Sequence, residues 1–402
     1  MDTVATVSEL TLSEVAAQVG VSPATLRRWA NEGVIPQYDG EWTAAAAAHA
    51  RIVARLRERG HTLDQIKEAG KSGVLSYAYI EDLFPPVKAD YTLEEAAQET
   101  GLEPALIERI YTTVGFSEAA LERITEEDVQ LLHYIAAVLA AGFPFVAFVQ
   151  LIRVYGQSLA QMADAEVRLF HLYVHEPLMR DGVPGLEMAE EMEGLARELL
   201  PLASPIMDHL HQRFLAHFVE QDVVGHMESA VDDDTLDLGR LRIVIAFADL
   251  AGYTRLTEEE GEEQAVDAVE RFVEAVENTL PDDARIVKTI GDEVMVVGSD
   301  PGALVDWAVG FQMMITERPL PRIGMHYGET IYRDGDYFGR EVNLAARVAA
   351  RAAGGEVLVT RPLVDQAGPH LEFEPIGEVR LKGFRASTEL FVARLADEAD
   401  AK

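Results

Sequence analysis

From Arg242 to Tyr327, apolar runs of strand length and helical periods follow one another in a single order: strand, helix, strand, strand, helix, strand. Few folds can close that order. Arg242-Ile-Val-Ile-Ala-Phe-Ala-Asp249 reads as a buried strand, and the spacing predicts a helix over about 257–280. The runs 284–290 and 293–297 read as strands joined at Gly291-Asp292, a two-residue hairpin signal. A helix over about 301–316 and a strand over about 321–327 complete β-α-β-β-α-β, a ferredoxin-like core. A helix over 341–353, a strand over 356–360 and two later strands extend it.

Residues 1–230 read instead as nearly all helix. The expected class is therefore α+β, an all-α N-terminal region followed by the βαββαβ domain. The acidic run from Glu228 to Arg240 has no sustained apolar period and marks the boundary. The expected division is 1–85, 86–230, a linker at 231–240, and 241–396.

The N-terminal region opens on an internal repeat. Thr11-Leu-Ser-Glu-Val-Ala-Ala-Gln-Val-Gly-Val-Ser-Pro-Ala-Thr-Leu-Arg-Arg28 recurs as Thr92-Leu-Glu-Glu-Ala-Ala-Gln-Glu-Thr-Gly-Leu-Glu-Pro-Ala-Leu-Ile-Glu-Arg109. Gly20 and Gly101 suit a tight turn between two short helices, Ser22 an N-cap and Pro23 the first helical position. With Trp29 and Gly33-Val-Ile-Pro36 following, the first copy resembles the helix-turn-helix module of MerR-type regulators. DNA is nevertheless not an expected partner. The second copy places Glu103 and Glu108 where the first has Ser22 and Arg27, and phosphate repels glutamate. With 34 Lys+Arg against 69 Asp+Glu, the chain also carries a net charge of -35. A regulatory scaffold is the expected role.

There is no cysteine and no signal-peptide pattern at the N-terminus, which suits a cytoplasmic setting, with peripheral membrane contact left open. The stretch 131–151 is uncharged and long enough to span a bilayer, but Gly142-Phe-Pro144 divides it. A buried helical hairpin is expected there, with no membrane span. His171 and His175, four apart on one helix face, are candidates for a pH-responsive pair.

Three elements carry chemistry. In Phe247-Ala-Asp-Leu-Ala-Gly-Tyr-Thr254 an apolar strand ends in Asp249, and a turn at Gly252 opens a helix. A cation would satisfy that carboxylate, and the backbone N–H groups at Gly252, Tyr253 and Thr254 would hold phosphate oxygens. In Lys288-Thr-Ile-Gly-Asp292 the second aspartate sits at a hairpin tip and converges on the first if the two strands are neighbours. Two such carboxylates call for a hard divalent cation. In Asp336-Tyr-Phe-Gly-Arg-Glu-Val-Asn-Leu-Ala-Ala-Arg347, Asn343 and Arg347 lie four apart on one helix and suit a ribose and a triphosphate.

Together these elements resemble the catalytic domain of class III nucleotidyl cyclases, over about residues 240–395. The resemblance implies two Mg²⁺ or Mn²⁺ ions at Asp249, Leu250 and Asp292. It implies that Asn343 orients the ribose, that Arg347 stabilises the transition state, and that Lys288 and Asp336 select the purine. Lys382, in Leu-Lys-Gly-Phe384, is a candidate for the outer phosphates. A lysine donor and an aspartate acceptor match N1 and the amino group of adenine; guanine inverts that pattern, so ATP is the expected substrate and cyclic AMP the product. Because the family builds its site between two catalytic domains and this chain has one, a homodimer is implied. The whole chain is similar to mycobacterial-type cyclases whose N-terminal helical domain is autoinhibitory and linked to pH and to fatty-acid-like ligands. The competing readings are a guanylate cyclase and a MerR-like regulator with a nucleotide-sensing cyclase domain.

Overall fold

The structure, a computed structural model, describes residues 10–35, 42, 44–75, 90–182, 185–229 and 240–396. The chain divides into two units, Met1–Leu215 and Ala216–Lys402. Of the expected linker 231–240, all but the last residue falls outside the described residues.

In the first unit, α1 (Leu12–Val19) and α2 (Pro23–Asn31) flank Gly20, whose φ of 74° supplies the left-handed turn, and Ser22 caps α2 through Thr25. Helices α3 (Ala44–Glu58) and α4 (Leu63–Lys71) close a core around Leu26, Trp29, Ile35, Trp42, Val53 and Ile66. The second copy repeats the geometry, with α5 (Leu93–Thr100), Gly101 at φ 70° and α6 (Pro104–Val114). Thr11, Thr62 and Thr92 open α1, α4 and α5 by one device. Each hydroxyl accepts from the backbone N–H three residues on, while Glu14, Gln65 and Glu95 reach back to the cap.

Thr125 does the same for α7 (Glu126–Ala140), which is followed by α8 (Phe145–Phe170). The uncharged stretch is therefore two helices broken at residues 141–144, and no helix among the described residues is long and apolar enough to cross a membrane. The hairpin is not buried throughout, contrary to the sequence expectation. Leu132, Ile135 and Phe148 pack inward, whereas Tyr134, Val138, Val146 and Leu151 are exposed, because only one face of each helix meets the core. Helix α8 runs through a π-helical turn, His171–His175, into α9 (Glu176–Arg180), and α10 (Gly185–Ser229) follows.

The second unit is built on β1 (Arg240–Leu250), α11 (Tyr253–Glu260), α12 (Glu262–Thr279), β2 (Ala284–Ile290), β3 (Glu293–Gly298) and α13 (Pro301–Met314). Then come β4 (Pro321–Arg333), β5 (Asp336–Phe338), α14 (Arg340–Ala349), β6 (Val357–Thr360), α15 (Arg361–Val364), β7 (Leu371–Val379) and β8 (Thr388–Leu395). The helix expected over 257–280 is two, because Gly261 takes φ 98° and ends α11 before α12 begins. Sheet order is β2-β3-β1-β4-β6-β8-β7, with β5 paired to β4. Its first four strands are the ferredoxin-like core, with β1 antiparallel to both β3 and β4.

Period-two alternation assigns the two faces. Val244, Ala246, Ala248 and Leu250 of β1 pack with α12 and α13. Ile243, Ile245 and Phe247 face Ala345 and Ala349 of α14. Asp249 continues that second series. On β4, Ile323 and Met325 join the first core, leaving Arg322, Gly324, His326 and Gly328 on the α14 side. A β-carbon at Gly324 would lie 1.9 Å from the Ala349 nitrogen, so the absence of a side chain is what lets α14 lie on β4.

Candidate active site

Strand register brings the first two acidic positions together. Asp249, 9% exposed, sits at the end of β1 opposite Glu293 on β3 and Arg322 on β4. Asp292 occupies the turn between β2 and β3, where Gly291 takes φ 64°. There the Asp292 carboxyl comes close enough to Asp249 to feel its side chain and its charge. Burial, then that contact and the Asp249 charge, push the Asp292 carboxyl up to about 6. Burial and Asp249 also raise the Glu293 carboxyl, against the pull of Arg322 and Arg347. The carboxylates gathered at one strand end fit a hard divalent cation, to which Leu250, the last residue of β1, would add a backbone carbonyl. Among the described residues no group of three or more His, Asp or Glu side chains forms a ready cation cage. A cation here would thus complete its shell from backbone, water or nucleotide oxygen, as Mg²⁺ commonly does.

Gly252 takes φ 89° and opens α11, so Tyr253 and Thr254 lie in its first turn, where no acidic residue competes for an anion. Lys288, just past a bulge in β2, is ion-paired with Asp336 at the start of β5. Asp336 also accepts from the Tyr337 N–H at 2.8 Å. Asn343 and Arg347 share the exposed face of α14, whose other face buries Leu344, Ala345, Val348 and Ala349. Lys382 is exposed in the loop between β7 and β8, away from any regular element.

Residues 240–394 match the family model of the adenylate and guanylate cyclase catalytic domain, and residues 32–219 that of the adenylate cyclase regulatory domain. An adenylate cyclase of Streptomyces coelicolor is 31% identical over 297 residues, covering 71% of this chain and 74% of that one. The chain belongs to the class III adenylate cyclases. A pH-sensitive adenylate cyclase of Mycobacterium tuberculosis is 29% identical over 370 residues, covering 87% and 89%. An uncharacterized protein of the same species is 31% identical over 360 residues, covering 85% and 89%.

The cyclase domain holds polar contacts that motif reading passed over. Arg322 donates from Nε to Asp249 Oδ2 at 2.7 Å and from Nη2 to the same oxygen. In sequence it is one cation at the head of an apolar strand; only the β1–β4 register, 73 residues apart, reveals the partner. His326, Glu341 and Thr360 form a second buried polar group beneath α14.

In the regulatory domain, His175 is fully buried. Its Nε2 lies 3.0 Å from the Gly73 carbonyl and its Nδ1 3.1 Å from His171 Nδ1. A carbonyl only accepts, so His175 Nε2 carries hydrogen and neutral His175 accepts from His171 at Nδ1. Fully protonating both rings would oppose two N–H groups. His171 Nε2 lies 3.8 Å from Glu176. A cleft beside this turn is lined by Tyr173, Val174, Pro177, Leu178, Glu191 and Leu195. The stretch 131–151 contributes none of these side chains.

Proposed function

We propose that this chain converts ATP to 3′,5′-cyclic AMP and pyrophosphate in a cleft shared by two copies, with two Mg²⁺ or Mn²⁺ ions bound. The observation that carries the reading is the meeting of Asp249 and Asp292 at one end of the sheet, where burial first and the Asp249 carboxylate second raise the Asp292 carboxyl to about 6. Asp249, Asp292 and the Leu250 carbonyl would hold the cations. Bound there, the cations supply Lewis-acid stabilisation and a more acidic ribose 3′-hydroxyl. The remaining work belongs to side chains. Lys288 and Asp336, paired with each other in the absence of a base, open to adenine N1 and its amino group. Asn343 orients the ribose. Arg347 meets the charge that builds on the α-phosphoryl group as the 3′-oxygen attacks in line and pyrophosphate leaves. The first turn of α11 at Gly252, Tyr253 and Thr254 receives phosphate oxygens, and Lys382 reaches the outer ones.

The chain has one catalytic domain, and two exposed apolar side chains flank its functional halves. Ile290, 55% exposed, is two residues from Asp292, and Phe338, 47% exposed, is two residues from Asp336. Such a surface fits burial against a second copy.

Incubation of the full chain with ATP or GTP and Mn²⁺ tests the reading. Cyclic AMP is expected, with kcat/KM for ATP about 5- to 150-fold above that for GTP, the equivalent of about 1–3 kcal/mol for one mismatched buried polar group. Lys288→Glu should erase that preference. More cyclic GMP than cyclic AMP would make this a guanylate cyclase, and no cyclic product would leave a nucleotide sensor.

The N-terminal domain is proposed to regulate the cyclase. Supporting this, residues 32–219 match the adenylate cyclase regulatory domain. Within the second unit, the end of α10 meets the cyclase fold at two points: Gln221 Nε2 donates to the Asp282 carbonyl at 2.8 Å, and the Phe218 ring lies 5.0 Å from the Arg285 guanidinium. Arg285 donates in turn to the Tyr337 hydroxyl at 2.9 Å, next to Asp336. The signals proposed are a proton at the His171–His175 pair and a fatty-acid-like ligand on the exposed apolar faces of α7 and α8. His175→Gln should flatten the pH–activity profile. An unchanged profile rejects the proton signal, and an unchanged rate with added fatty acid rejects the ligand.

A further inference from the structure

Strand β4 presents Arg322, Gly324, His326 and Gly328 toward α14. His326 is 6% exposed, deep beneath the first turn of that helix. Its Nε2 lies 2.7 Å from Glu341 Oε2, and its Nδ1 lies 2.8 Å from Thr360 Oγ1 at the end of β6. A carboxylate only accepts, so Nε2 carries the hydrogen. Thr360 donates to Nδ1 when the ring is neutral and accepts from it when the ring is charged, so the contact survives either state. Burial lowers the pKa of the ring against the upward pull of Glu341. Glu341 is further held by Arg340, whose Nη1 donates to Oε1 at 2.9 Å.

Two features show that this contact has been given room. A β-carbon at Gly328 would lie 2.7 Å from His326 Nε2 and 3.1 Å from Glu341 Cγ. The N-cap of α14 is Gly339, which offers no side-chain cap, so the start of the helix is tied to the sheet through Glu341 instead. Asn343 and Arg347 follow two and six residues later. A buried polar pair is a poor source of stability by comparison with apolar packing. It does fix rotation and height, which apolar contacts leave looser.

We propose that His326 is a positioning residue of the cyclase reaction: its bond to Glu341 sets the rotation and height of α14, and so the placement of Asn343 and Arg347 against the nucleotide. The proposal rests on the catalytic reading above. A shift of about 1 Å in such groups costs about 100-fold in rate. An interaction realised only in the transition state lowers kcat and leaves KM in place.

The test uses the full-length chain. His326→Leu keeps the volume and removes both bonds, His326→Gln keeps a donor for Glu341, and Gly328→Ala displaces the ring while leaving both partners. Rates with ATP and Mn²⁺ are read well below each variant's melting temperature, with Mn²⁺ affinity followed by paramagnetic resonance. His326→Leu and Gly328→Ala are expected to lose about 30- to 100-fold in kcat, with KM and Mn²⁺ affinity within about twofold of wild type. His326→Gln should recover most of the loss. Combining His326→Leu with Glu341→Gln should cost no more than the worse single change. A lowered melting temperature with unchanged kcat in the folded variants would overturn the proposal, as would independent, multiplying losses in the double variant. If His326→Leu does not fold, Gly328→Ala and His326→Gln decide alone. A wild-type chain that makes no cyclic nucleotide under the same conditions would sink the catalytic reading instead.

Discussion

Asp249→Ala or Asp292→Ala should cut cyclic AMP formation by about a thousandfold, equivalent to about 4 kcal/mol of lost transition-state stabilisation. The size follows from what each carboxylate does. Asp249 is buried at the end of β1, and Asp292 is brought against it by the β2–β3 turn. Removing either leaves one carboxylate beside the Leu250 carbonyl, and removing Asp249 also takes away the carboxylate that Arg322 grips. Mn²⁺ affinity, read by paramagnetic resonance, should fall with activity. In the wild type, the same affinity should weaken as pH drops through about 6. The Asp292 carboxyl, raised to about 6, takes up a proton there, and the proton competes with the cation. A variant with ordinary Mn²⁺-dependent activity would refute the assignment.

Mixing Asp249→Ala chains with Arg347→Ala chains, each nearly inactive alone, should restore about one quarter of wild-type activity. Random pairing of equal amounts makes half of the dimers mixed. In a shared cleft, one of the two sites in each mixed dimer then receives an intact aspartate from one copy and an intact arginine from the other. Two different affinity tags isolate the mixed dimers, in which half the wild-type rate per dimer is expected. Confirmed mixed dimers without rescue would place both residues in one chain's own cleft.

The parts of the molecule legible in the sequence were those encoded locally. The Gly20 and Gly101 turns, the Ser22 cap and the Gly291-Asp292 hairpin all rest on residues within a few positions of each other, and each appears where its chemistry requires. The proximity of Asp249 and Asp292 was legible because the hairpin and the sheet order place their strands side by side. The pairing of Arg322 with Asp249 and the His326 contacts with Thr360 and Glu341 were not, since they join residues through β4 register that no local period encodes. Strand β5 was missed because it is three residues long. The outward faces of α7 and α8 were misjudged because an uncharged helix reads as buried whichever way it is turned.

Arg322 and His326 stand four residues apart on β4, about 13 Å along the strand. One grips the end of β1 and the other the start of α14. With the clefts shared as proposed, those two grips serve different nucleotides in the same assembly. A single strand thus braces residues of both proposed clefts, one near each of its two grips.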